Sequence, residues 1–137
     1  RPPAEEEALE HFGRNLGIAY QLIDDMLDFS ARQAELGKTV GDDFRDGKIT
    51  LPILIAFARG DADERAFWRR TLEDGEQAPD DLARAIRLVE RRGALAETLA
   101  RARSYAAEAI QAISLFPEGP LRRALVETAA FATSRGF

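Results

Sequence analysis

Apolar positions recur at helical spacing along this chain, and no segment shows the alternation of a strand. After Pro2 and Pro3, an acidic first turn of Glu5, Glu6 and Glu7 suits a helix N-terminus and its dipole. That helix is expected to run to about Phe29. From Ser30 to Lys48 the pattern breaks into a charged loop punctuated by Gly37, Gly41 and Gly47. Thr50 can cap a new helix with Pro52 in its first turn, running through Ile53, Leu54, Ile55 and Phe57 to Gly60. Asp61 or Asp63 starts the next, which carries Phe67, Trp68 and Leu72. Pro79-Asp80-Asp81 opens another, with Leu82, Ile86, Leu88 and Val89 inward and Gly93 as its stop. An Ala-rich helix spans Ala94 to about Phe116 and ends at Pro117. Gly119-Pro120 introduces the last, through Leu121, Leu125, Val126 and Phe131 to Arg135. The expected fold class is all-α.

One helical segment is chemically odd. In Gln21-Leu22-Ile23-Asp24-Asp25-Met26-Leu27-Asp28, three carboxylates interrupt an otherwise apolar run. At helical pitch Asp24 and Asp28 share a face, Gln21 lies one turn earlier, and Asp25 flanks them. Ile18, Ala19, Leu22, Ile23, Met26, Leu27 and Phe29 cover most of the remaining circumference, which predicts a helix buried nearly all round. Buried carboxylates without a partner are costly, and like charges at i,i+4 repel by roughly 0.2–0.5 kcal/mol even on a surface. A hard divalent ion with oxygen ligands would relieve both. A narrow polar stripe of Arg14, Gln21, Asp24 and Asp28 facing water accounts for the same letters, although Gly17 on that stripe removes bulk where a ligand could approach.

Composition narrows the classes. The 137 residues suit one domain, residues 1–137, with 45% hydrophobic and 31% charged residues, an ordinary globular balance. A net charge of −5 and the lack of a basic stripe argue against nucleic acid as a partner. Without Cys there is no disulfide and no thiolate chemistry, which fits a reducing, cytoplasmic setting. No apolar run approaches the ~20 residues of a membrane span, and no signal peptide is seen. Arg1-Pro2-Pro3, without an initiator Met, reads like a loop cut from something longer. His11 stands apart from the carboxylate stripe and Trp68 sits at core spacing. Arg69-Arg70, Arg91-Arg92 and Arg122-Arg123 read as solvated faces, and Asp80-Asp81 as a cap.

The loop after the acidic helix changes the weighing. In Leu36-Gly37-Lys38-Thr39-Val40-Gly41-Asp42-Asp43-Phe44-Arg45-Asp46-Gly47-Lys48, lysines can meet a phosphate as point charges while glycines let backbone N–H groups approach. Asp42 to Asp46 also spells D-D-x-x-D, but bracketing glycines remove the assurance of helical register. Asp43 and Asp46 are expected to pair with Lys48, Arg45 or loop N–H groups. An acidic helix followed at once by a lysine-bearing glycine loop is what a metal–diphosphate site requires.

The segments G-I-A-Y-Q-L-I-D-D-M-L-D-F and L-G-K-T-V-G-D-D-F-R-D-G-K-I-T-L-P closely resemble the trans-type polyprenyl diphosphate synthases, in their second aspartate-rich motif and lysine loop. The match is most specific from about Leu9 to Ala58 and is nearest the long-chain octaprenyl and decaprenyl branch. Tyr20 stands where that family usually has Phe, and Asp46 where Glu is common. Such enzymes are roughly twice this length, so the chain resembles the C-terminal half of one, part of an isoprenoid-synthase-type helical bundle. The first aspartate-rich motif lies upstream of anything present, and this polypeptide alone is expected to be inactive and sticky, through apolar faces left uncovered.

The resemblance implies Mg2+-dependent head-to-tail addition of isopentenyl diphosphate to an allylic diphosphate, making a long polyprenyl diphosphate for a quinone side chain. It implies Asp24 as a direct metal ligand, with Asp25 and Asp28 acting through water or orienting that shell. Lys38 would touch the allylic diphosphate and Lys48 would contribute at longer range. Gln21 would bond near the diphosphate or the attacking substrate, and Tyr20 would line the wall beside the cation. It also implies a homodimer in the full-length form and proximity to a membrane surface through the product. Two other readings share these letters: a non-catalytic partner subunit of a heteromeric synthase, and a terpene cyclase of the same fold. The intact motif speaks against the first, and the lysine loop ending G-K-I-T-L-P against the second.

Overall fold

A computed structural model describes residues 2–134, and among these only helices and turns occur, with no strand. Position 135, where the final helix was expected to end, lies outside the described residues. The helices are α1 (Pro3–Leu27), α2 (Ala31–Glu35), α3 (Asp42–Arg45), α4 (Leu51–Arg59), α5 (Ala62–Trp68), α6 (Asp81–Arg91), α7 (Ala94–Ala112) and α8 (Pro120–Ala132). A π-helical turn, Arg69–Glu73, continues α5. The described residues fall into two compact units, one of residues 2–23 and 99–134, the other from Asp24 to Thr98.

In the first unit Ala8 and Phe12 of α1 bury against Ala109 and Ile113, with Phe116 and Ala129 completing the cluster. Alanine on three of these helical segments lets the backbones approach closely. The expectation of all-round burial fails here. Ala19 and Ile23 are fully buried, but Ile18 is 36% and Tyr20 41% exposed, so α1 buries one side.

The second unit is built on aromatic side chains. Phe44, only 1% exposed, lies 6.3 Å from Phe67 in a near-parallel stack and edge-on to Trp68. Phe29, Ile53, Ile55, Ala56, Leu88 and Val89 close around them. Phe44 is the one apolar residue in Asp42-Asp43-Phe44-Arg45-Asp46, and its burial pulls that charged run onto the core. The run expected as open loop is therefore a helical turn, with Asp46 as its C-cap. α1 stops at Leu27 rather than Phe29 because Ser30 caps α2, its side chain accepting from the Gln33 N–H at 3.2 Å. Thr50 does precede α4, but makes no side-chain cap; its Oγ1 is buried with no hydrogen-bond partner.

Two arginine pairs read as solvated are engaged. Arg92 donates to buried Glu64, from Nε at 2.8 Å and through a second bond from Nη2, and those bonds hold the Glu64 carboxyl down at about 2. Glu64 also completes a capping box with Asp61 at the start of α5. Arg70 grips Asp81 with two bonds of 2.9 and 3.0 Å, while the Ala78 N–H donates to the same carboxylate at 2.7 Å. Asp81 is thus held at about 2, chiefly by Arg70, and is the acid half of an ion pair rather than a free cap. Reading doublets as surface missed that one arginine of each folds back onto an acid from another segment.

Candidate functional site

The last turn of α1 carries the three motif carboxylates in three different environments. Asp24 is exposed, Asp25 is 7% exposed, and Asp28 lies half-buried in the turn that ends the helix. Pitch rotates Asp25 about 100° away from Asp24 and into burial, whereas Asp28, four residues on from Asp24, is covered by the turn at residues 41–43. Asp24 and Asp28 remain joined by a backbone bond, the Asp28 N–H donating to the Asp24 carbonyl at 3.2 Å.

Asp28 turns toward the glycine loop. Its Oδ1 accepts from the N–H groups of Gly41 at 3.0 Å and Asp42 at 3.2 Å, and its Oδ2 from that of Asp43 at 3.0 Å. Its carbonyl also accepts from Gly41 N–H, at 2.9 Å. Burial pushes the Asp28 carboxyl above the usual carboxylate range, an effect its three N–H donors oppose. Gly41 supplies the reversal that brings these donors round, with φ +87°; a Cβ there would sit 2.5 Å from both methyls of Leu82. Glycine is needed at this position on both counts.

The turn then presents Asp43 and Lys48. The Lys48 N–H donates to the Asp43 carbonyl at 2.8 Å, closing the turn through Gly47. Burial raises the Asp43 carboxyl above its ordinary value; Lys48 opposes this, and the charge of Asp25 adds to it. Asp43 therefore shares a negative field with the motif helix. The sequence predicts pairing of Asp43 with Lys48, Arg45 or loop N–H groups; the like charge of Asp25 acting on it is a feature the letters do not signal. Asp42 pairs with Arg45 at 3.0 Å. Lys38 is exposed after α2, its N–H bonded to the Gln33 carbonyl at 3.0 Å, and its ammonium makes no ion pair among the described residues. Lys48 is also exposed. Tyr20 and Gln21 stand exposed one turn earlier on α1.

The bonds of Asp28 and the charges acting on Asp43 thus link Asp25, Asp28, Asp43 and Lys48, with Asp24 next to Asp25 on the helix and Lys38 three residues before Gly41 in the chain. Among the described residues no three acidic, His or Cys side chains converge to hold a metal unaided. The donor set is all oxygen, partly desolvated and mutually repelling, which fits a hard cation that completes its shell with water and ligand oxygens. Two clefts are lined by other side chains, among them Ala4, His11 and Gln111 in one and Asp63, Arg87 and Arg91 in the other.

Comparison with known proteins gives these features a setting. The chain is 38% identical over 136 residues to an octaprenyl diphosphate synthase of Haemophilus influenzae, covering 98% of this chain and 40% of that protein. Its fold matches a polyprenyl synthase of Caulobacter crescentus, solved with calcium and isoprenyl diphosphate, at a TM-score of 0.91 and 47% identity. That match covers 98% of this chain and 41% of the other. A decaprenyl diphosphate synthase from Rhodobacter capsulatus superposes at a TM-score of 0.86 with 36% identity, over the whole of this chain and 41% of its own. The chain spans about 40% of the length of these relatives. The polyprenyl synthetase family model matches residues 1–89, which include the acidic helix end, the lysine loop and α3 to α5. The chain belongs to the polyprenyl synthetase family.

Proposed function

We propose that this chain supplies the second aspartate-rich half of a long-chain polyprenyl diphosphate synthase active site. The observation that carries this reading is the joining of an acidic helix end to a lysine-bearing turn through Asp28. In the reaction the allylic C–O bond breaks and the diphosphate leaves with the bonding electrons. The double bond of isopentenyl diphosphate attacks the resulting cation, and loss of a proton restores an alkene. Charge on the leaving diphosphate is the barrier.

Asp24 and Asp25 would hold Mg2+, Asp24 directly, with Asp25 and Asp28 acting through water or orienting that shell. The metal would act as a Lewis acid on the diphosphate oxygens. Lys38, which is exposed, would meet the allylic diphosphate, and Lys48, whose charge acts on Asp43, would contribute at longer range. Gln21 and Tyr20 are carried as substrate-facing residues by their place in the motif. The complete enzyme acts in the cytoplasm as a homodimer, beside the membrane that receives its product. The product serves as a quinone side-chain precursor, and the 137-residue chain alone is inactive.

The test is incorporation of isopentenyl diphosphate by the complete protein, with and without magnesium, and sizing of the product. Asp24→Ala should lower turnover by a factor of about 10² or more with the circular dichroism unchanged. Near-normal turnover by that variant, or product formed in excess chelator, refutes the assignment.

A further inference from the structure

The carboxylate of Asp28 is occupied in an unexpected way. An ionised carboxylate offers about four acceptor sites, and here three backbone N–H groups use them, from Gly41, Asp42 and Asp43. These three are the orphan donors of α3, which at four residues is too short to hold itself. Its N-cap is Gly41, which has no side chain to satisfy them. An acid 13 to 15 residues earlier in the chain does so instead.

A relay of backbone bonds runs on from there. The Asp43 carbonyl accepts from Lys48 N–H at 2.8 Å, the Asp42 carbonyl from Asp46 N–H at 3.0 Å, and the Gly41 carbonyl from Arg45 N–H at 2.9 Å. The far end of the turn is held separately. Gln77 Nε2 donates to the Phe44 carbonyl at 2.8 Å and to the Thr71 carbonyl at 3.1 Å. Nothing in the motif spelling marks Gln77, which lies in the connection before α6.

We propose that Asp28 is a positioning residue, whose carboxylate holds the turn bearing Asp43 and Lys48 rather than a metal ion, with Gln77 as the opposing clamp. This deepens the reading above, replacing the part in the magnesium shell given there to Asp28, and rests on it for its catalytic meaning. The tether itself is a property of the chain and can be measured without turnover.

The experiment uses the complete enzyme. Amide exchange on the metal-free protein is followed at positions 41 to 43 in the wild type, Asp28→Asn and Asp28→Ala. Magnesium titrations of activity, with the Michaelis constant for the allylic diphosphate, are run on these and on Asp24→Asn and Gln77→Met. Asn keeps one carbonyl oxygen, so Asp28→Asn should preserve protection at Gly41 and Asp42 and leave half-saturating magnesium unchanged. Asp28→Ala should speed exchange at Asp42 and Asp43 about 10-fold or more, as expected for loss of one charge-assisted bond each. Gln77→Met should raise the allylic Michaelis constant without moving the magnesium midpoint, whereas Asp24→Asn should move that midpoint. Unchanged exchange at Asp42 and Asp43 in Asp28→Ala overturns the tether. So does a magnesium midpoint in Asp28→Asn displaced as far as in Asp24→Asn. A wild-type enzyme without prenyl transfer would sink the proposed function, while amide exchange would still decide the tether.

Discussion

Replacing Gly41 with alanine probes backbone and packing together. Gly41 has φ +87° and ψ 9°, a left-handed conformation that costs an L-residue roughly 1–2 kcal/mol. The added Cβ would meet both Leu82 methyls at 2.5 Å and Leu82 Cγ at 3.1 Å. Leu82 is half-buried and its methyls are the flexible end of the side chain, so moving them costs near the low end of overpacking, about 1 kcal/mol. Gly41→Ala should therefore destabilise by about 2–3 kcal/mol. Urea unfolding of the complete enzyme measures this as a lower midpoint at constant slope. Leu82→Ala in the same chain should recover only the steric part, leaving a coupling of about 1 kcal/mol in a double-mutant cycle. The allylic Michaelis constant should rise as well, because Gly41 N–H is one of the donors that bring the turn to Asp28. An unchanged midpoint for Gly41→Ala, or no coupling with Leu82→Ala, would refute this account of the turn.

Two further outcomes are expected. Glu64 and Asp81 are held at about 2 in the fold, below their ordinary values of 4.5 and 3.8. The stability they add is complete above about pH 5 and is lost as pH falls toward 2. Asp28 and Asp43 are displaced upward, so their protonation favours the fold over the same descent and softens the loss. Urea midpoints taken between pH 6 and about pH 2.5 should fall, and Glu64→Gln should flatten that fall. Thr50→Val should hold or raise stability by up to about 1 kcal/mol, because the buried hydroxyl has no partner and φ −115°, ψ 169° suits a β-branched residue. A loss of about 1 kcal/mol on thermal or urea unfolding would instead mean that the hydroxyl caps α4.

Local signals carried the helices well. Pro52, Asp61, Gly93 and Pro120 mark boundaries because proline, acid caps and left-handed glycine act within a few residues of where they stand. The helical setting of Asp24 and Asp25 is legible for the same reason, since pitch is local. What the letters hid were partners far along the chain. The spelling of the acidic motif gives no hint that Asp28 bonds to residues 41 to 43. Arg70 and Arg92 were read as surface, yet their acids lie 11 and 28 residues away. Asp42 to Asp46 was read as loop because flanking glycines weaken a helix locally, whereas burial of Phe44 and a remote carboxylate override that weakness.

The widened turn at Arg69–Glu73 bears on how such chains vary in length. A π-turn holds one residue more than the α-turn it replaces, and here buried Thr71 fills the bulge by donating to the Phe67 carbonyl at 2.9 Å. Excising Arg70 would let the turn close to an ordinary α-turn while the helix on either side keeps its register. The carboxylate of Asp81 would then be left without the guanidinium that grips it. Sequences that lack this one residue should consequently carry an uncharged side chain in place of Asp81, so that a deletion and a loss of charge are inherited as a pair.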